Sequence, residues 1–337
     1  MSAKAIVCTA PAIYTPDMEQ KRIKDLVRDD FIDGYFAVRR KDVREYARGQ
    51  FITLELGDCT GRIAAVMWEP DQFALNDMTE KMVVKVRAVV GEFNNKPQLN
   101  ISRVRLANED EYTLEDILPH SSQSREHRES RLMALTAKIE NSYIKALTES
   151  FWNDQAFFDA FMVAAAGKLW HHAYIGGLSE HSANVTELAL RVASGYPWLE
   201  KDYLIFGGLF HDAGKIETYS SDTTVIDYTD EGRLVGHICL ADHWIAERAA
   251  RIEGFPPMLL TKLRHMILSH QGELEYATPV VPQMPEAFVL YYCDEIDSKM
   301  GALERIRSRQ GEKGWSEYIR MLDRFVYFGE GPEEPKQ

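Results

Sequence analysis

Residues 61–93, GRIAAVMWEPDQFALNDMTEKMVVKVRAVVGEF, hold two β-patterned runs separated by a polar stretch of helical length. GRIAAVMW and KMVVKVRAVVGEF are rich in β-branched residues, whereas EPDQFALNDMTE has the composition of a short helix. Working outward, GYFAVRRKDVREY and FITLELGD precede this block and PQLNISRVRLA follows it, each with strand-like character. Gly57-Asp58 and Thr60-Gly61 separate the second and third runs as a tight turn. The order is three strands, a helix and two strands.

That is the order of the small five-stranded OB barrel, which binds single-stranded oligonucleotides on one face; other small antiparallel barrels fit the pattern too. Past it, ANEDEYTLEDILPHSSQSREHRES is polar and unperiodic and reads as a linker. Beyond Ser130 the β signal gives way to helical stretches such as LSEHSANVTELALRVASGY, DYLIFGGLFHDAGK and PEAFVLYYCDEIDSKMGALERIRSR. The expected fold is α+β multidomain, a five-stranded OB β-barrel followed by an all-α helical bundle. The expected divisions are an N-terminal extension 1–30, barrel 31–107, linker 108–130, helical domain 131–320 and C-terminal tail 321–337.

A chain of 337 residues with 45% hydrophobic and 27% charged residues is neither disordered nor of low complexity. No apolar run approaches the roughly 20 residues of a membrane helix. The four cysteines, Cys8, Cys59, Cys239 and Cys293, are scattered, and the N-terminus has no basic segment leading into a long apolar one. A soluble protein of the reducing cytoplasm, without a membrane partner, is expected. The net charge of −13 argues against nonspecific coating of nucleic acid. It is also uneven: residues 1–110 carry 17 Lys+Arg against 17 Asp+Glu, and residues 111–337 carry 22 against 35. An acidic domain that handles phosphates needs cations to do it.

Eight of the ten histidines fall between His171 and His270. His181 shares a helical stripe with Val185, Leu188 and Val192, so its imidazole faces a core and needs a partner there, whether a hydrogen-bond acceptor or a metal. His211-Asp212 ends the apolar helix DYLIFGGLF, with Gly214 as the expected helix stop. Asp294 lies in PEAFVLYYCDEIDSKM, where it and Asp297 at i+3 put two carboxylates on one face of an otherwise apolar helix. A divalent cation held by His181, His211, Asp212 and Asp294 satisfies all of these groups with a mixed N/O set. His237, His265 and His270 either build a second metal site bridged by Asp212 or contact substrate phosphate.

The ordered set His181, His211-Asp212 and Asp294 resembles that of the HD-domain metal-dependent phosphohydrolases. Across HHAYIGGLSEH, GGLFHDAGKIE, YTDEGRLVGHI, HMILSHQGELEYATPVVP and YYCDEIDSKM, the chain is more specifically similar to YhaM-type 3′→5′ exoribonucleases. Those enzymes also carry an N-terminal OB domain, which GQFITLELGDCTGRIAAVMWEPD resembles, so the likeness spans roughly residues 30–305. It implies a hydrolase that removes nucleoside 5′-monophosphates from the 3′ end of single-stranded RNA, with DNA as a further substrate. The cofactor it implies is Mn²⁺, with Mg²⁺ or another transition metal as substitutes, at one or two ions per chain. Two positions depart from the pattern: Gln271 stands where similar sequences have a second His, and Cys59 where a basic residue is common. HHAYIGGLSEH also occurs in HD domains attached to plasmid relaxases, so the helical half alone does not fix the substrate.

The expected catalytic residues are Asp212, Lys215 and His237, with Lys215 one turn past the His-Asp pair and in reach of a phosphate oxygen. His181, His211, Asp212, Asp294, His237, His265 and His270 are the expected metal ligands. Substrate contacts are expected from Arg233, His172, Phe36, Arg39, Trp68, Lys85 and Arg87, with Phe51, Phe93 and Arg103 as further barrel candidates, while His171 shapes the pocket. A phosphodiesterase for small or cyclic nucleotides and a nucleic-acid-binding adaptor with an inactive HD core are the competing readings. A homo-oligomer stays open.

Overall fold

A computed structural model describes residues 20–47, 49–168, 172–220, 226–310 and 313–330. Most of the N-terminal extension and His171 lie outside the described residues. The chain divides into two compact units between Ile117 and Leu118.

The first unit is a closed barrel of β1 (Phe31–Tyr46), β2 (Gly49–Gly57), β3 (Arg62–Met67), β4 (Val83–Phe93) and β5 (Lys96–Leu106), in the order β1-β2-β3-β5-β4. Closure depends on the length of β1. Its first half pairs with β4 and its second with β2, and the register shifts between Val38 and Arg40 where the strand bends from one partner to the other. A parallel pairing of β3 with β5 completes the ring. Alternate residues fill the interior, among them Ile32, Phe36, Leu54, Leu56, Val84, Val86, Val90 and Leu99. Asn94 and Asn95 both take positive φ in the two-residue connection between β4 and β5, as a primed hairpin turn requires.

The segment expected to be helical between β3 and β4 forms one turn at Phe73–Asp77, where Ala74 is fully buried. Lys41 reaches across to donate to the carbonyls of Leu75 and Met78 at 2.8 and 2.7 Å, satisfying backbone acceptors at its end.

The stretch read as a linker is ordered rather than free coil. It contains α1 (Leu114–Ile117) and the start of α2, and Ile117 is fully buried on the barrel side of the division. Arg105–Glu111 and Arg22–Asp116 ion pairs tie it to the barrel. Local pattern does not reveal this, because the Arg22–Asp116 pair joins residues 94 positions apart.

The second unit is helical: α2 (Arg125–Thr136), α3 (Ser142–Trp152), α4 (Gln155–Val163), α5 (Gly177–Gly195), α6 (Lys201–Phe210), α7 (Lys215–Thr218), α8 (Asp230–Leu234), α9 (His237–Ala250), α10 (Pro257–Leu268) and α11 (Pro285–Gln310). Ser124, Asn141 and Asp154 cap α2, α3 and α4 with side-chain oxygens. The main core gathers Phe151, Trp152, Phe161, Phe206 and Phe210 with aliphatic residues of α2, α9 and α10. A second cluster joins Val185 and Ala189 of α5 to Leu204 of α6 and Leu290 of α11. In the stretch after α11, bridges Trp315–Tyr327 and Ile319–Arg324 pair backbone across the expected boundary between helical domain and tail. No helix among the described residues is long and apolar enough to cross a membrane.

Candidate functional site

The site grows from the close packing of α5, α6 and α11. Helix α6 is apolar and buried from Leu204 to Phe210. Its paired glycines are what let it approach so near: a Cβ on Gly208 would stand 2.4 Å from Thr186 Oγ1 on α5, and one on Gly207 would stand 2.9 Å from Leu290 on α11. His211 and Asp212 therefore emerge at the end of α6, directly between His181 of α5 and Asp294 of α11.

Gly214 works otherwise than as the expected left-handed helix stop. Its φ is −61°, well within right-handed space. A Cβ there would lie 2.0 Å from the carbonyl oxygen of His237, so the glycine admits the first residue of α9 to backbone contact with the His-Asp turn.

Four donor atoms converge. His181 Nε2 lies 3.1 Å from Asp294 Oδ1, 3.2 Å from His211 Nε2 and 3.5 Å from Asp212 Oδ2. His211 Nε2 stands 3.5 Å from Asp212 Oδ2 and 3.8 Å from Asp294 Oδ1. Atoms bound ~2.1 Å from a common centre are ~3.0 Å apart at right angles and ~3.4 Å apart at tetrahedral angles, so this spacing suits a shared cation. The other oxygen of Asp212 faces a second group, 3.3 Å from His237 Nε2 and 3.6 Å from His270 Nε2. The donor set fits one or two divalent cations, with one oxygen of Asp212 facing each group.

Electrostatics follow from burial. His181, His211 and Asp212 are essentially inaccessible. Burial opposes a charged His181, but hydrogen bonds to the carboxylates of Asp294 and Asp297 override it and raise its pKa to about 10, so a cation at Nε2 would take the place of that nitrogen's proton. Burial dominates at His211 and His237, which fall to about 4 and about 3 and are neutral, as ligand imidazoles must be. Burial opposes the Asp212 carboxylate too, yet Lys215 and the surrounding imidazoles hold its pKa well below the usual range.

Several expected residues sit elsewhere. His265 is not in either group: its Nε2 accepts the backbone N–H of Gln283 at 2.9 Å, because α10 ends between His265 and His270 and turns the two side chains apart. His172 does not face substrate. It is buried with both ring nitrogens engaged, Nδ1 to Tyr174 Oη at 2.6 Å and Nε2 to Asp297 Oδ2 at 2.8 Å. Lys215 is buried with its Nζ 2.5 Å from Asp212 Oδ2. Arg233 is exposed, 3.6 Å from Asp227 and stacked over Tyr228, outside the His/Asp groups. Gln271 brings Nε2 within 3.4 Å of His237 Nε2, so the amide borders the second group.

Asp297 was missed as a site residue, although its i+3 spacing from Asp294 was visible. Its Oδ2 lies 2.7 Å from His181 Nδ1 as well as against His172. Lys168, paired with Asp227 at 2.7 Å and over the Tyr228 ring, gave no sequence signal.

On the barrel, Phe36 is fully buried and cannot stack on a base. Arg39 is also drawn inward: burial, aided by Arg62, lowers its pKa to about 10, and it donates to the Ile117 carbonyl. Trp68 is half exposed and stacks on Phe51 at 4.8 Å, with the missed Tyr46 set edge-on to both rings. Lys85 and Arg87 both flank Asp33, at 3.7 and 2.8 Å. They stand opposite Arg105 and Arg103 across the β4–β5 ladder, a costly like-charge arrangement relieved in part by Asp33 and Glu111. Phe93 is exposed at the hairpin end.

Residues 178–299 match the HD domain family. Residues 37–107 match the OB-fold nucleic acid binding domain of the tRNA anticodon-binding type. The chain thus carries a match to an OB-fold model ahead of a match to an HD-domain model, each over less than half of its length. Among solved structures, the second OB-fold domain of replication protein A from Methanococcus maripaludis is 17% identical, over 26% of this chain and 95% of that one, with a TM-score of 0.22. An OB domain from Thermoplasma acidophilum is 20% identical over 26% of this chain and 86% of that one, with a TM-score of 0.21.

Proposed function

We propose that the protein is a metal-dependent 3′→5′ exonuclease of single-stranded RNA, with DNA as a second substrate, releasing nucleoside 5′-monophosphates in the cytoplasm. The observation that carries this reading is the Asp212 carboxylate, whose two oxygens face two separate groups of imidazoles in a chain that also has an OB barrel. His181, His211, Asp212 and Asp294 would hold the first cation, and Asp212, His237 and His270 would hold the second. Mn²⁺ suits this mixed imidazole and carboxylate set, and bound there it supplies an activated water and neutralises charge developing on the phosphate.

The chain's own residues do the rest. The buried neutral imidazoles of His211 and His237 offer lone pairs without adding positive charge, and Asp212 faces both groups. Lys215, beside Asp212, contributes a cation at the place where phosphate oxygens gain charge. The Tyr46–Phe51–Trp68 cluster gives bases a stacking surface that is indifferent to sequence, and Lys85 and Arg87 favour the backbone.

The test is incubation of the purified chain with 5′-labelled single-stranded RNA and matching DNA, in Mn²⁺ and in EDTA, with Asp212→Ala alongside. The reading requires a ladder that shortens from the 3′ end and needs both metal and Asp212. Intact strands from a protein that binds Mn²⁺ overturn it and direct attention to small nucleotides.

A further inference from the structure

Three histidines of the two groups are held by a second hydrogen-bond partner, and they differ in what holds the far side of the ring. His211 Nδ1–H donates to the Gly208 carbonyl at 3.0 Å and His270 Nδ1–H to the Ile267 carbonyl at 2.7 Å. His181 instead donates Nδ1–H to a carboxylate, Asp297 Oδ2, at 2.7 Å. The same oxygen accepts His172 Nε2–H at 2.8 Å, and His172 Nδ1 lies 2.6 Å from the Tyr174 hydroxyl, which is also hydrogen-bonded with Glu180. The result is one chain of hydrogen bonds, Tyr174 to His172 to Asp297 to His181.

The distances decide between this chain and a third cation. Donors sharing an ion are spaced at ~3.0 Å or more, whereas both contacts of Asp297 are at charge-assisted hydrogen-bond length. His172 is also held by its backbone. It adopts φ 42° despite carrying a Cβ, and its carbonyl accepts from the N–H groups of Ala166 and Tyr174. A Cβ on Gly177 would stand 2.0 Å from that carbonyl, so the start of α5 closes directly on it. A residue kept in a sparsely populated conformation by surrounding contacts is one whose side-chain aim matters.

We propose that Asp297 and His172 are positioning residues, which fix the His181 ring with its proton on Nδ1 and turn the Nε2 lone pair toward the cation. The carboxylate makes His181 a more electron-rich donor than His211 or His270, whose acceptors are neutral carbonyls. His172 in turn keeps Asp297 from rotating away, and the Tyr174 hydroxyl against Nδ1 holds the His172 ring in place. This inference rests on the cation binding proposed above.

The experiment measures Mn²⁺ affinity of the full chain from the electron paramagnetic resonance signal of free Mn²⁺, with no substrate present. Asp297→Asn is expected to bind about 10- to 100-fold more weakly. His172→Phe is expected to weaken binding by about 10-fold, while His172→Gln, which keeps a donor toward Asp297, stays within about 3-fold of wild type. Melting in EDTA reports folding separately, and if Asp297→Asn does not fold, the contrast between His172→Phe and His172→Gln decides. Folded Asp297→Asn or His172→Phe with wild-type affinity overturns the positioning role while leaving the metal site intact. A wild-type chain that binds no Mn²⁺ at millimolar concentration overturns the proposed function itself.

Discussion

Asp212 Oδ1 stands 3.3 Å from His237 Nε2, on the opposite side of the carboxylate from the oxygen that faces His181 and His211. One short side chain thus belongs to two sets of ligands, and its removal is felt by both. Asp212→Ala is expected to lose Mn²⁺ at both positions and to lower hydrolysis by roughly 100-fold or more. Titration of bound Mn²⁺ per chain checks the first statement and initial rates the second. A variant that retains one tight Mn²⁺ contradicts the shared role.

His265 and His270 lie five residues apart and make opposite predictions. His270→Ala removes an imidazole 3.6 Å from Asp212 and is expected to weaken the second cation by about 10-fold or more. His265→Ala removes only the acceptor of the Gln283 N–H and is expected to leave Mn²⁺ affinity within about 2-fold of wild type, at a stability cost of about 1 kcal/mol. Parallel Mn²⁺ titrations and urea unfolding separate the two.

The barrel aromatics divide in the same way. Trp68→Ala is expected to weaken binding of a single-stranded oligonucleotide by about 1–3 kcal/mol with little change in melting temperature, since the ring is half exposed. Phe36→Ala is expected to destabilise the fold by about 3–5 kcal/mol through a cavity in the barrel core. Fluorescence anisotropy and thermal unfolding of both variants test the division.

Glu111 gives a pH signature. Two contacts to Arg105, at 2.6 and 2.8 Å, and the Asn108 N–H hold its pKa down to about 2, against ~4.3 in an unfolded chain. A depressed carboxylate stabilises the folded state above its unfolded pKa, and that contribution disappears as pH falls through the folded value. The urea midpoint of Glu111→Gln is therefore expected below that of wild type at pH ~6, with the gap shrinking below pH ~4 and closing near pH ~2. A gap constant with pH points to lost packing instead.

Much of the architecture was legible because it rests on local periodicity. Period-two runs gave the five strands and their order, and the apolar stripe of α5 gave His181. His211-Asp212 stood out because a polar pair closed an apolar helix. What escaped depends on long-range geometry. Nothing in sequence joins His172 to Asp297, 125 residues away, until α5 and α11 pack together. The bulge at Val38–Arg40 bends β1 and blurs which of its residues face inward, so Phe36 and Arg39 passed for surface residues while Tyr46, beyond the bend, was overlooked. His265 and His270 were indistinguishable without knowing that α10 stops at Leu268.

The near-contact of Gly214 with the His237 carbonyl has a consequence for how such a centre can vary. The approach of α9 to the His-Asp turn is gauged by backbone against backbone, whichever side chains act as ligands. A single methyl at residue 214 would wedge α9 outward and lengthen the span from Asp212 to His237 while every ligand stayed chemically intact. The centre is therefore sensitive to spacing as well as to the identity of its ligands, and one residue that sets the spacing carries no functional group.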